Sequence, residues 1–159
     1  MRPATVLGTA AATTMTALVG SVASRETDSR WYRKLRKPAF QPPAAVFPIV
    51  WTALYADIAV TSAAAIDELT ERRDFGERRT YIAALTANLA LNASWTWVFF
   101  RGGRLMSATA VAALLAVSSA DLTRRTAVVV PAAGAALAPY AGWTGVATVL
   151  SARIAQLNR

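Results

Sequence analysis

The sequence predicts an all-α integral membrane protein, a five-transmembrane-helix bundle formed by one domain over residues 1–159. Three observations predict it. Of 159 residues, 55% are apolar and only 16% are charged, with a mean hydropathy of +0.35. That is too little charge to cover a soluble domain of this size. The charges are also clustered, and between clusters lie five long stretches nearly free of them. A stretch of about 20 apolar residues, at 1.5 Å per residue, matches the hydrocarbon thickness of a bilayer.

The first span covers about residues 4–24 and is rich in Ala, Thr and Gly. Arg2 before it and Val22-Ala23-Ser24 at its end give it some likeness to a secretory signal. Its apolar run is longer than a usual signal core and poor in Leu, and a basic segment follows, so a retained span is expected. The second span runs about 44–66, the third about 80–100, the fourth about 105–122. The fifth runs about 127–150 and is expected to continue helically toward Gln156. The segment 67–79, DELTERRDFGERR, mixes charge signs and reads as a solvated helix extension with a turn at Gly76. Arg101-Gly102-Gly103-Arg104 reads as a tight turn. Asp121 with Arg124 and Arg125 at i+3 and i+4 reads as a surface pair. Short loops favour a compact antiparallel bundle. The longest, 25–43, is a candidate functional lid.

Cys and His are both absent. Disulfides, Cys/His zinc sites, thiol nucleophiles, imidazole acid–base catalysis and the usual His or Cys ligation of haem iron are excluded. No metal site is expected. The net charge is +8, with basic residues flanking apolar spans. Anionic lipid head groups are therefore the expected partners, and nucleic acid is not. Seven Lys/Arg fall on the side of Arg2, 72–79 and 124–125, and ten on the side of loop 25–37, Arg101, Arg104, Arg153 and Arg159. The more basic side is expected in the cytoplasm, giving an N-terminus outside and a C-terminus inside. An all-helical bundle suits a bacterial inner membrane rather than an outer-membrane barrel.

Trp31 to Tyr55, WYRKLRKPAFQPPAAVFPIVWTALY, joins a basic, Pro-stiffened aromatic loop to an apolar helix. Such a segment suits a flat apolar ligand with anionic edges at a membrane surface. Three stripes at spacings of 4, 3 and 4 accompany it: Phe47, Trp51, Leu54, Ile58; Asn88, Asn92, Trp95, Phe99; and Pro139, Trp143, Val146, Leu150. Each stripe lies on one helix face and carries one Trp. Trp31 and Trp97 fit an interfacial belt. Trp51, Trp95 and Trp143 sit beside polar or Pro residues, and Asn88 and Asn92 are costly against lipid, so these stripes are expected to face inward.

Asn88 and Asn92 read equally as interhelical hydrogen-bonding residues or as ligand donors. Pro48, Pro131 and Pro139 are expected to free carbonyls and bend helices. Asp57, inside the second span, is a functional candidate by position. Gly134-xxx-Ala138-xxx-Gly142 and Ala83-xxx-Ala87 read first as packing within the bundle, and alternatively as a homodimer face.

Trp31-Tyr32, Lys37-Pro38, Pro42-Pro43, Val46 to Thr52, Leu54-Tyr55, Asn88 to Asn92 with Trp95 and Phe99-Phe100, then Pro139-Tyr140 and Trp143 together resemble the translocator protein family. Its bacterial members are tryptophan-rich sensory proteins, and its animal members were called peripheral benzodiazepine receptors. The resemblance covers about residues 31–150. It implies a five-helix bundle, often a homodimer, with a pocket beneath the first loop. It implies binding of porphyrins such as protoporphyrin IX, of haem in some members, and of other apolar small molecules, with no cofactor required. Carried over by position, Tyr32 comes from the lid, and Trp51 and Tyr55 from the second span. Asn88, Asn92 and Trp95 come from the third, and Trp143 and Ala147 from the fifth. Trp51 and Trp143 match the pair implicated in porphyrin photochemistry, which the resemblance makes the candidate catalytic residues.

Ser151 stands where the family commonly has Asn, and Asn88 where many members have Gln. The C-terminal helix lacks the Tyr of the cholesterol-consensus pattern. Three readings follow: a porphyrin-binding or porphyrin-transporting membrane receptor, a light- and oxygen-dependent protoporphyrin-degrading activity, and a regulatory scaffold. In the first, Arg33, Lys34, Arg36 and Lys37 would meet the propionates. The absence of His favours metal-free porphyrin over tightly held haem.

Overall fold

A computed structural model describes residues 1–25 and 29–159. Residues 26–28 of the expected lid lie outside the described residues. The described residues are helical, with no strand: α1 (Pro3–Ser24), α2 (Arg30–Lys34), α3 (Val46–Glu71), α4 (Phe75–Phe100), α5 (Leu105–Val129) and α6 (Pro131–Leu157). Of the five long helices, α1, α3 and α5 are long and apolar enough to cross a membrane by length and composition. With 26 and 27 residues, α4 and α6 equal them in length. The sixth helix, α2, is five residues inside the expected lid.

In α1 the packing has small and polar residues inward and large apolar ones outward. In α1 the buried residues are Thr9, Thr13, Thr16, Gly20 and Ala23, spaced 4, 3, 4 and 3. Leu7, Met15 and Leu18 face outward. Thr9 Oγ1 donates to the Ala59 carbonyl of α3 at 2.8 Å. The core lies between α3, α4, α5 and α6, around Ile58, Leu85, Leu122, Leu137 and Tyr140.

Several boundaries differ from the sequence expectation. The break after the second span is at Arg73, with φ +56°, and not at Gly76, which lies in the first turn of α4. The cause is capping: Asp74 N–H donates to the Leu69 carbonyl at 3.0 Å, while Asp74 Oδ1 accepts from Glu77 N–H at 3.0 Å. Helix α5 runs past Arg124 and Arg125, because both donate back within the helix to Asp121, at 2.8 and 2.6 Å. It ends only at Val130, which is extended before Pro131.

Pro48 and Pro131 fall in first helical turns, where no intrahelical donor is needed, so neither opens its helix. Pro139 alone of the three is interior. The third stripe turns inward only in part: Pro139 and Val146 are exposed, Trp143 is half-buried, and Leu150 is buried. The buried face of α6 is Ala133, Leu137, Tyr140, Thr144, Ala147, Ser151 and Ile154. The small-residue runs divide as well. Gly134 is buried against α5, while Ala138, Gly142, Ala83 and Ala87 are exposed.

Candidate functional site

Between α1, α3, α4, α6 and the lid lies a cavity of about 700 Å³. Phe47, Trp51, Thr52 and Tyr55 reach it from α3, Asn92, Trp95, Thr96, Phe99 and Phe100 from α4, and Leu150, Ser151 and Ile154 from α6. Gly20, Ser21 and Ser24 of α1 close one side, and Tyr32, Lys37 and Gln41 come from the lid. The size falls within the usual range for small-molecule sites.

The aromatic wall is continuous. Trp51 lies 5.6 Å from Tyr55, 6.3 Å from Trp95 and 6.5 Å from Tyr140, centroid to centroid, and Trp95 lies 6.1 Å from Phe99. Residues one turn apart on α3 and on α4 face each other here, so the first two stripes meet. These contacts leave indole and phenol faces available to a flat apolar molecule. Trp95 Nε1 donates to Ser151 Oγ at 3.3 Å, so the serine that departs from the family pattern orients a wall residue.

The segment over the cavity is capped locally at α2 and fastened to α6 beyond it. Ser29 caps α2 by accepting from Tyr32 N–H at 3.2 Å. Asn158, at the end of α6, accepts from Arg36 N–H and donates to the Arg36 carbonyl, each at 2.9 Å. Tyr32 packs on Phe99 and Phe100 at 6.4 and 5.6 Å. Lys37 Nζ stands 4.0 Å from the centre of its ring. Burial pushes the Tyr32 phenol above its ordinary value, so it stays a neutral donor. Lys37 is the cation in the cavity wall among the described residues, and Arg33, Lys34 and Arg36 do not line it. Gln41 lines the cavity beside Tyr32, whose phenol is within hydrogen-bonding influence of its side chain.

Behind the wall runs a polar chain. Tyr55 Oη donates to Asn92 Oδ1 at 2.8 Å, and Asn92 Nδ2 donates to Tyr140 Oη at 3.3 Å. Tyr140 Oη donates to Asn88 Oδ1 at 2.7 Å, and Asn88 Nδ2 donates to Ser118 and Ser119 at 3.2 and 3.1 Å. The two asparagines therefore differ. Asn92 lines the cavity, whereas Asn88 spends its amide on α5 and α6 outside it.

Of the residues singled out in the sequence, Tyr32, Trp51, Tyr55, Asn92 and Trp95 are brought together in the cavity wall. Asn88, Trp143 and Ala147 lie outside that wall. Trp143 packs on Phe47 at 6.0 Å, and Ala147 is buried in the bundle. Asp57 is half-buried and makes no side-chain hydrogen bond or ion pair among the described residues, away from the cavity. Phe99, at the end of the second stripe, turns inward as expected, whereas sequence reasoning passed over Phe100 as a wall residue, the serines of α1, and Asn158. Among the described residues, no group of three or more His, Cys, Asp or Glu could hold a metal ion.

The TspO/MBR family model matches residues 7–157. The chain is similar to the tryptophan-rich sensory protein of Cereibacter sphaeroides, 34% identical over 128 residues, covering 80% of this chain and 77% of that protein. It is similar to protein CrtK of Rhodobacter capsulatus, 29% identical over 142 residues, covering 89% and 87%. It is also similar to the human translocator protein, 34% identical over 148 residues, covering 91% and 85%.

Proposed function

This chain belongs to the TspO/MBR family of membrane proteins, and from that premise we propose that it is a receptor or transporter-like protein for porphyrins, protoporphyrin IX first. The single observation that carries this reading is the cavity of about 700 Å³, walled by Trp51, Tyr55, Trp95 and Phe99 and edged by Lys37. A macrocycle offers two broad π faces, which match the aromatic wall, and anionic propionates, one of which Lys37 would meet. In this reading the five long helices all span an inner membrane, with the N-terminus outside, the C-terminus in the cytoplasm, and a homodimer as the working unit. The same cavity would accept other flat apolar molecules, and haem without axial ligation by His.

A second reading is light-driven, oxygen-dependent degradation of protoporphyrin, favoured by one observation. Trp51 stands in a chain of rings with Trp95 and Tyr55 at 6.3 and 5.6 Å. Such a chain can donate an electron to an excited porphyrin and share the resulting radical. Trp143 would take part through Phe47 rather than by lining the cavity.

The test is a titration of tryptophan fluorescence with protoporphyrin, haem and a sterol in turn. Saturable quenching by protoporphyrin, weakened about tenfold in Trp51→Phe and less than twofold in Trp143→Phe, is the expected outcome. Absence of saturable quenching, or equal quenching by all three compounds, would overturn the proposal. Illumination with and without oxygen separates the second reading. A porphyrin bleaching rate equal to that in detergent alone rules it out.

A further inference from the structure

Where α4 ends and α5 begins, a second groove of about 510 Å³ is lined by Trp97, Val98, Arg101, Gly102, Arg104 and Ser107. It shares no lining residue with the cavity. Trp97 and Val98 give it an apolar wall along the helix, and the two arginines stand where that wall reaches the end of the bundle. We propose that this groove is a binding site for an anionic glycerophospholipid, with the headgroup phosphate between Arg101 and Arg104 and an acyl chain along Trp97 and Val98.

The groove is held in shape from three directions. Trp97 Nε1 donates to the Val19 carbonyl at 3.1 Å, fixing the indole at the seam between α1 and α4. Arg101 lies over that indole, 4.9 Å from the ring centre. A guanidinium stacked this way keeps its in-plane N–H groups for phosphate oxygens, and its planar fork suits them. The turn between the arginines has no room to change. A Cβ on Gly102 would come within 2.7 Å of the Val98 carbonyl oxygen, and Gly103 has φ +57° with Trp31 packed against it.

Two guanidinium groups at one end of an apolar wall favour a phosphate. All four ion pairs among the described residues lie at the opposite end of the bundle, where Glu68, Glu77 and Asp121 pair with Arg72, Arg124 and Arg125. Neither Arg101 nor Arg104 is in an ion pair among the described residues. A free phosphate would use the arginines but not the apolar wall. A lipid uses both.

The test uses the full chain, delipidated in neutral detergent, with native mass spectrometry of added phosphatidylglycerol and phosphatidylcholine of equal chain length. Selective retention of phosphatidylglycerol is expected, falling about fivefold in Arg104→Gln and about 25-fold in Arg101→Gln/Arg104→Gln, at roughly 1 kcal/mol per arginine. Arg72→Gln/Arg124→Gln at the other end should leave it unchanged. The chain has no Cys, so Ser107→Cys carrying an environment-sensitive fluorophore gives a second readout that needs no arginine replacement. Its emission should shift with phosphatidylglycerol and not with phosphatidylcholine. Equal retention of both lipids, loss only in the opposite-end variant, or displacement by millimolar inorganic phosphate alone would overturn the proposal.

Discussion

Tyr140 Oη donates to Asn88 Oδ1 at 2.7 Å, joining α6 to α4 at a point where both residues are fully buried. Tyr140→Phe keeps the ring and removes the donor. Asn88 Oδ1 is then left without its partner in an apolar interior, and Asn92 Nδ2 loses its acceptor. The expected cost is about 1–2 kcal/mol. It should appear as a lower thermal midpoint in detergent, with ligand affinity changed much less. An unchanged midpoint would show that the chain behind the wall contributes nothing to stability.

Gly134 meets α5 at backbone distance. A Cβ there would lie 2.3 Å from Ala127 Cα, and backbone cannot yield as a flexible side chain would. Gly134→Ala is therefore expected to cost more than about 2 kcal/mol, or to push α6 away from α5. Gly142→Ala, with nothing within 4 Å, should be neutral or slightly stabilising. Chemical denaturation of the two variants side by side checks the contrast.

The sequence made some of this geometry readable and hid the rest for physical reasons. The α3 and α4 stripes were legible because Trp51, Trp95 and the two asparagines carry strong, unlike signals, and both faces do turn inward. The α6 face was not, because its buried side is mostly Ala, Leu, Thr and Ser, which barely differ in hydropathy from its outer side. Trp143 drew attention to a flank instead. Gly76 attracted the turn assignment by type, whereas Asp74 decided it by capping both helices. Asn92 and Asn88 look alike in sequence. Only the packing of Tyr140 between them shows that one faces the cavity and the other α5. Asn158 had no signal, since its partner is a backbone amide 122 residues away.

Asn158 holds the lid by a reciprocal pair of 2.9 Å hydrogen bonds to the Arg36 backbone. Asn158→Ala removes both and leaves the hydrophobic contacts of Tyr32 intact. Each such bond contributes about 1 kcal/mol net, so the lid should open more often without the bundle melting. The expected outcome is faster ligand dissociation, by roughly tenfold, with the thermal midpoint nearly unchanged. Stopped-flow release of protoporphyrin measures it. Asn158→Asp keeps only the acceptor role, and is expected to fall between the two.

Asp67 ties α1 to α3 near the end of the bundle, accepting from the Arg2 N–H and, at 2.6 Å, from Thr5 Oγ1. Asp67→Ala removes both acceptors and leaves the Arg2 N–H and the Thr5 hydroxyl without their partner. The expected cost is about 1–3 kcal/mol, seen as a lower thermal midpoint in detergent. Thr5→Val removes one of the two donors and should cost about 1 kcal/mol. Because the two side chains share one hydrogen bond, the double variant should cost less than the sum of the single ones. Strictly additive costs would show that this contact does not couple α1 to α3.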